Sequence, residues 1–551
     1  MTLKEQLKQN IIDAVIELQN EDFVNKDLNV KDLVFNITQP NVPDNINIDQ
    51  VVYDFSTNIA FILKNHCAVK NPIEVANKLV AKMSNSNIYQ KIDIAVPGFI
   101  NIVLSNQLFL STIQNINLNP TKYGAHFINK EHVNVEFVSA NPTGFLHVGH
   151  ARGAAYGDSL IRILRHAGYD VEAEYYVNDA GNQINVLTNS VYVRYQNLFG
   201  IDAQLPEDCY RGQDIVWCAT KIKEKYGDYF LNADEVKLSE LSTVAKDIML
   251  DKIREDLGRL NVSFDTFASE KTIKEDGLIE PVLKKLSKYT YTEDGALFLK
   301  TKEFGDDKDR VLIKADGNYT YFLPDIAYHE LKFQKSPKLI NIWGADHSGY
   351  IQRMKIAMQC LGYNPDNLDI LTIQLVRLIK DGEEFKMSKR AGTAVTLQDL
   401  LDYSSADAVR FMMLTREINN KFDFDIDAAN STDVNNPVFI VQYAHSRAVS
   451  LLNRLKQEKV NDQINFTNKA KKLIIELDSF PELIKTIVST SKVNLLTQYL
   501  ISLAKSFNSF YAETKLLGHE DEATYAHLIK SVQAILALGL NLIGVSAPLS
   551  M

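Results

Sequence analysis

The sequence predicts an α/β protein whose central domain is a doubly wound parallel sheet, with an α+β module before it and an α-helical bundle after it. Three observations carry that expectation. Between residues 121 and 430, valine- and isoleucine-rich runs such as "HVNVEFVS" and "KLINIWG" alternate with runs of helical periodicity, the pattern of parallel strands joined by crossover helices. From residue 431 to 551 the pattern is helical throughout, as in "VNLLTQYLISLAKSFNSFYAETKLL", which reads as a bundle. A chain of 551 residues also exceeds what one hydrophobic core holds, so about two to four domains are expected.

The first module, residues 1–120, opens with "MTLKEQLKQNIIDAVIEL", a charged amphipathic helix and not a signal peptide. It ends in "IDIAVPGFINIVLS", a hairpin around Pro97-Gly98. In the central domain, "HVNVEFVS" (132–139) alternates apolar and polar residues as a strand does. Asn141-Pro142-Thr143-Gly144 then turns the chain, and "ARGAAYGDSLIRILRHAG" forms a helix that Gly168 ends. A second strand-to-turn unit follows, "VEAEYYVNDAGNQINVL", and later come "KLINIWGADHSGYIQRMKIAMQCLG" and "LTIQLVRLIKDGEEFKMSKRAG". Residues from about 190 to 288 are more helical and read as an insertion into the sheet. Sheets of this kind bind ligands at the carboxyl ends of their strands, where the strand order reverses.

Composition narrows the function. Net charge is −10, which argues against indiscriminate polyanion binding. Residues 431–551 nevertheless carry 12 Lys and Arg against 10 Asp and Glu, while residues 1–120 carry 9 against 12, so a nucleic-acid surface is sought in the C-terminal bundle. No apolar run approaches a membrane span, and no membrane partner is expected. Cys67, Cys209, Cys218 and Cys360 are scattered, without a C-x-x-C pair. Neither a structural zinc nor a disulfide framework is expected, and a reducing cytoplasm is the default compartment.

Two stretches carry phosphate chemistry. In "SANPTGFLHVGHARG" (139–153), His147 and His150 sit at the mouth of a helix, where unpaired N–H groups and the helix dipole favour an anion. Three residues apart, they share a face and can reach the same group. The second stretch is "KMSKR" (386–390), with Asp381-Gly382 before it and Ala391-Gly392 after it. Lys386 and Lys389 in a glycine-flanked loop form a cationic clamp able to follow charge on a transferring phosphoryl group. Taken alone the stretch also reads as a solvated loop. "WGADHSGY" (343–350) closes a β-rich run with glycine, which lets a backbone approach a ligand; a plain turn with a capping Asp is the alternative.

HVGH and KMSKR resemble the two signature motifs of class I aminoacyl-tRNA synthetases. Within that class "EFVSANPTGFLHVGHARGA", "EYYVNDAGNQI", "WGADHSGYIQR" and "FKMSKRAGTAVTL" resemble arginyl-tRNA synthetase. So do "PGFINIVLS" near the N-terminus and "VQYAHSRAVS" in the bundle, so the resemblance spans nearly the whole chain. It implies a Rossmann-type catalytic domain at 121–430, a tRNA-contacting domain at 1–120 and an anticodon-binding domain at 431–551. The implied substrates are ATP with Mg2+, L-arginine and tRNA(Arg), and the implied state is a monomer. The implied activity is arginine–tRNA ligase, with arginyl-adenylate as intermediate and a first step that requires bound tRNA.

The resemblance also implies roles. His147, Gly149 and His150 contact ATP, the histidines at the α-phosphate, and Lys386 and Lys389 hold the leaving pyrophosphate beside Met387 and Ser388. Position five of the second motif is Arg390 and not the common serine; it keeps positive charge. Gly344, Asp346 and His347 take the adenosine. Glu136, Ser139 and Asn141 take the α-amino and carboxylate groups of arginine, with His150 shared between the arginine and ATP sites. Tyr321 and Asp325, in "YTYFLPDIAYHE", hold the guanidinium, and Glu270, in "FDTFASEKT", is a second carboxylate. A planar, always charged guanidinium calls for carboxylates aimed edge-on. The alternatives are an N-cap for Asp325 and a surface position for Glu270. "NDAGNQI" either lines the cleft through Asn178, Asp179 and Gln183 or shapes a turn.

For tRNA, "QYAHSR" offers Tyr443, His445 and Arg447. "SFNSFYAE" offers Phe507, Phe510 and Tyr511; Tyr443 and Arg447 are the expected RNA contacts, and Phe507 or Phe510 is expected to be buried. The rivals are another HxGH enzyme and a non-catalytic tRNA-binding paralogue. The first, if of cysteinyl type, would need zinc ligands for thiol selection. The second would have lost a motif His or Lys, and none is missing.

Overall fold

A computed structural model describes residues 1–40, 51–128, 130–275, 277–385, 395–455 and 460–551. The central sheet has five strands: β1 (His132–Glu136), β2 (Asp170–Val177), β3 (Thr266–Ser269), β4 (Lys338–Gly344) and β5 (Leu368–Ile373). Its order is β3-β2-β1-β4-β5, and every pairing is parallel. This is the doubly wound arrangement, and the order reverses between β1 and β4.

The helix Val148–Ala167 returns the chain from β1 to β2. Its alanine-rich start is a packing requirement: Ala151, Ala154 and Ala155 are completely buried, so small side chains let the helix lie close to the sheet. At Gly157 a Cβ would fall 2.3 Å from the Phe137 ring. Gly168 caps the helix with φ 110°, a left-handed conformation that glycine takes without a Cβ clash.

Between β2 and β3 the helices Asn182–Asn197, Gln213–Tyr226 and Glu235–Arg259 pack around a core of their own that includes Leu187, Tyr195, Cys218, Phe230 and Met249. The expected helical insertion to residue 288 is therefore too long. Thr266–Ser269 leaves it and pairs with β2 as the edge of the sheet. A three-stranded antiparallel sheet, residues 290–293, 296–299 and 310–313, follows before the helix Phe322–Lys335 leads into β4. After β5 the strand Val376–Lys380 turns back at Asp381-Gly382, with φ 53° and 78°, as a tight hairpin requires.

In the N-terminal module Leu3–Asn20 packs against Pro72–Met83, which lies on a four-stranded antiparallel sheet. Tyr89–Ala95 and Phe99–Leu104 form the hairpin around Pro97-Gly98. The C-terminal region consists of helices Pro437–Leu452, Asn468–Asp478, Phe480–Thr490, Asn494–Glu513 and Glu522–Leu542. The last of these is long and apolar enough to cross a membrane by length and composition. The expectation that no run reaches that length is corrected: Glu522, His527 and Lys530 interrupt the run without making it polar. The helix packs into the bundle against Pro437–Leu452 and against Asn106–Leu118 of the N-terminal module.

Two fully buried arginines hold the Val148–Ala167 helix to its surroundings. Arg410 donates to Asp158 on that helix, to Ile543 O at the end of the last helix (2.7 Å) and to Leu260 O at the end of the insertion (2.9 Å). Arg152 reaches three carbonyls, of Gln374, Glu417 and Asn420, at 3.3, 2.8 and 2.7 Å. Losing Arg410 would take the buried partner from Asp158 and leave it only the half-buried Arg162; breaking a buried pair typically costs ~3–5 kcal/mol.

Candidate active site

β1 ends at Glu136, and Val138 and Ser139 follow with φ 67° and 42°. A β-branched residue in the left-handed region is strained, and such strain concentrates at functional sites. Ser139 Oγ helps hold the kink, donating to Glu136 Oε1 (3.1 Å) and accepting from Tyr176 N (3.1 Å). Asn141 lies exposed just beyond.

His147 is the N-cap of the Val148–Ala167 helix. Its Nδ1 accepts from Gly149 N at 3.0 Å, while His150 Nδ1 accepts from His147 N at 3.1 Å. A backbone N–H can only donate, so both Nδ1 atoms are bare and each neutral ring carries its proton on Nε2. The rings stack with centroids 3.8 Å apart. A Cβ at position 149 would fall 2.7 Å from the His147 ring, which explains the glycine. His147 is open to the cleft, yet the surrounding protein lowers its pKa, and burial followed by the neighbouring His147 lowers that of His150 to about 3. The unpaired N–H groups expected at this helix mouth are not found: those of His147, Val148, Gly149 and His150 all have partners, so what the mouth presents to an oxyanion is two neutral imidazole N–H donors at the positive end of the helix dipole.

The KMSKR motif, with Lys386, Met387, Ser388, Lys389 and Arg390, lies outside the described residues. Its flanks do not. Phe385 N donates to Leu378 O in the hairpin (2.8 Å). On the far side, Val395 and Leu397 are stitched to the first motif: Val148 N donates to Val395 O (3.2 Å) and Leu397 N to Leu146 O (2.7 Å). The described flank from Val395 to Leu397 thus lies against the backbone of HVGH.

β4 ends at Gly344 across the switch point, followed by Asp346 and His347, both exposed. The N-cap of that turn is Gly344 and not Asp346, which stands within its first turn. The Asp346 carboxylate folds over Gly344, where a Cβ would fall 2.4 Å from Oδ1, so a larger residue there would have to turn that exposed side chain aside.

The other end of the cleft is anionic. Tyr176, at the end of β2, has its pKa raised first by burial and then by the negative charges of Glu270, Asp325, Glu136 and Asp179, so the field of four carboxyl groups falls on one phenol. Glu270 is buried, directly after β3. Asp325 stands in the first turn of Phe322–Lys335 but is not its N-cap; Tyr321 holds that position and is 85% exposed. The aromatic that reaches Asp325 is Tyr350, whose hydroxyl donates to Oδ2 at 3.0 Å. Sequence reasoning passed over Tyr350 although it ends the stretch "WGADHSGY". Asp179 accepts from Ser269 Oγ (2.8 Å) and Lys271 N (3.0 Å) and pairs with Lys246, so it fastens the turn that carries Glu270.

On the C-terminal bundle, Arg447 donates to Tyr443 Oη (2.9 Å) and to Asn508 (2.8 Å). Its guanidinium lies over the Tyr443 and Tyr511 rings at 4.7 and 5.3 Å, and Phe439 stacks on Tyr443. These are planar faces suited to a splayed base. His445 does not join them: it is buried, with Nδ1 on Pro548 O at 2.9 Å. Phe507 and Phe510 are core residues.

A doubly wound sheet with paired imidazole donors at its switch point, Val395 and Leu397 hydrogen-bonded to the backbone beside those imidazoles and a C-terminal helical bundle have the architecture of a class I aminoacyl-tRNA synthetase. Comparison with known proteins specifies it further. Residues 112–446 match the family model for the catalytic domain of tRNA synthetases class I (R), residues 441–551 the DALR anticodon binding domain, and residues 1–104 the arginyl tRNA synthetase N terminal domain. The arginine–tRNA ligase of Mycoplasma mobile is 45% identical over 90% of this chain and 93% of its own length. That of Bacillus subtilis is 44% identical over 92% and 94%. The solved structure of Thermus thermophilus arginyl-tRNA synthetase shares the fold over the whole of both chains, with a TM-score of 0.75 at 21% identity. The chain belongs to the arginyl-tRNA synthetase family of class I enzymes.

Proposed function

We propose that the cleft at the β1/β4 switch point carries out arginine–tRNA ligation as follows. Arginine lies with its guanidinium among Asp325, Glu270 and the Tyr321 rim, and with its α-ammonium and carboxylate toward Glu136, Ser139, Asn141 and His150. ATP, arriving as its magnesium complex, rests its adenosine on Gly344, Asp346 and His347 and its α-phosphate at Gly149 and the helix mouth. The arginine carboxylate attacks the α-phosphorus, the bond to the β-phosphate oxygen breaks, and pyrophosphate leaves toward Lys386 and Lys389, with Met387 and Ser388 in the same loop. The 3′-terminal adenosine hydroxyl of tRNA(Arg) then takes the arginyl group, and AMP leaves.

The histidines act by positioned donation. As charge gathers on the α-phosphate oxygens, His147 and His150 offer Nε2–H groups whose orientation the backbone has already set, so little reorganisation is needed in the transition state. The observation that carries this reading is the pair of tautomer-fixed imidazoles at one end of a cleft whose other end gathers carboxylates. The anionic end selects guanidinium because a shorter or neutral side chain would leave a desolvated carboxylate unmatched. Tyr443 and Arg447 read the anticodon, residues 1–120 touch the outer corner of the tRNA, and the enzyme works as a cytoplasmic monomer. Division of the chain near residues 120 and 430 follows these roles.

Arginine-dependent ATP–pyrophosphate exchange, with and without tRNA(Arg) and beside a His150→Ala variant, tests the reading. Exchange seen with tRNA and lost in the variant is expected. Exchange without tRNA would remove the tRNA requirement for the first step, and exchange unchanged in the variant would remove His150 from the chemistry.

A further inference from the structure

The face of the sheet beneath the arginine site is not apolar. Asn341 on β4, Glu136 on β1 and Glu174 on β2 are register partners across three neighbouring strands, so their side chains form one row on one face. All three are buried. The helix Phe322–Lys335 covers that row, and Lys332 reaches down into it with Nζ 2.7 Å from Glu136 Oε2, 3.0 Å from Asn341 Oδ1 and 3.8 Å from Glu174. From Asn341 the chain of contacts continues through Nδ2 to His329 Nε2 (2.7 Å) and from His329 Nδ1 to Asp325 O (2.8 Å). Because the amide Nδ2 can only donate, His329 keeps its proton on Nδ1 and gives it to the carbonyl. One set of buried hydrogen bonds thus runs from Glu136, at the α-ammonium end of the arginine pocket, to the backbone of Asp325 at the guanidinium end.

We propose that Lys332 is a positioning residue for arginine activation: it holds the Glu136 carboxylate in place as the acceptor for the substrate α-ammonium and, through Asn341 and His329, fixes its spacing from Asp325. This rests on the reading of Glu136 and Asp325 as arginine contacts. The physical need is clear from the charges. Glu136 and Glu174 are adjacent buried carboxyls, and burial alone favours their neutral forms. Glu174 follows that rule, its pKa raised although Tyr328 and Asn134 donate to it. Glu136 departs from it: burial raises its pKa, but Lys332, His329 and the Ser139 hydroxyl together hold it low. The other titratable groups that face it are the Glu174 carboxyl and the Tyr328 and Tyr176 phenols. A neutral Glu136 would present one carbonyl and one hydroxyl to an ammonium group, so the lysine preserves the charge that the substrate reads.

The test is the pH dependence of kcat/KM for arginine in the full-length enzyme, from about pH 5.5 to about pH 9. The parent profile is expected to show no acid limb from Glu136 in that range. Lys332→Gln is expected to bring one in, with kcat/KM at neutral pH reduced ~10-fold or more through KM and recovered as pH rises. Lys332→Gln with Glu174→Gln removes the competing carboxyl and is expected to move the limb partway back, an order that loss of packing would not produce. If the single variant does not fold, the parent and the double variant still give the comparison, and a double variant without a limb then overturns the proposal. A folded Lys332→Gln enzyme with the parent profile and arginine KM also overturns it. Glu136→Gln with unchanged KM for arginine would instead overturn the reading of Glu136 on which the proposal rests.

Discussion

The two ends of the cleft solve opposite electrostatic problems with opposite materials. On the proposed reading a polyanion arrives at the phosphate end, and the described part of the protein meets it with neutral donors: two imidazoles held uncharged, their Nδ1 atoms tied to backbone N–H groups, at the start of a helix of 20 residues. At the amino-acid end cationic groups arrive, and the protein meets them with carboxyl groups gathered from three strand ends and one helix. Backbone makes the first site and side-chain charge the second. The first site costs little to pre-form, because the N–H groups that the helix terminus would otherwise leave unpaired are the ones that orient the two imidazoles. A charged site must be kept charged against desolvation, which is why a buried network with its own lysine lies beneath it.

The comparison can be broken or sharpened in order of effect. His150→Ala removes a donor used at the reacting phosphate and is expected to lower kcat ~10²–10³-fold, with KM for arginine within about twofold; steady-state exchange kinetics separate the two. Asp325→Asn should act on the other parameter, raising KM for arginine on the order of 10²-fold because a desolvated cation loses its counter-charge, with a smaller change in kcat. Equal losses in both parameters for both variants would dissolve the division into two ends. Away from the cleft, Tyr443→Ala removes a stacking face and is expected to raise KM for tRNA roughly 10-fold while leaving KM for arginine unchanged.

How much of this the sequence disclosed depended on distance along the chain. The HVGH turn was legible because strand, Pro-Thr-Gly turn, histidines and Ala-rich helix lie within one short stretch, each constraining the next. The hairpin around Pro97-Gly98 was legible for the same reason. β3 was not: its four residues, "TFAS", are too short for alternation to register between helical neighbours, so the insertion read as running on. The polar row was hidden because Asn341, Glu136 and Glu174 become neighbours only when three parallel strands align. One trace of it was present: Asp325, His329 and Lys332 stand at i, i+4 and i+7, one polar stripe on a helix that otherwise buries Phe322, Leu323, Ile326 and Ala327. His445 looked like part of an RNA-facing motif, but it lies on the opposite side of its helix from the Tyr443–Arg447 pair and packs on the C-terminal tail.

The claim that the phosphate end works through neutral, backbone-oriented imidazoles is tested most directly by ¹⁵N chemical shifts of His147 and His150 in selectively labelled enzyme as pH is lowered. Both rings should read as neutral Nε2–H tautomers through the physiological range, with His150 still unprotonated well below the pH at which an exposed histidine titrates, since its pKa is lowered to about 3. A His150 that titrates near ~6.5 like a solvated imidazole, or that carries its proton on Nδ1, would contradict the account.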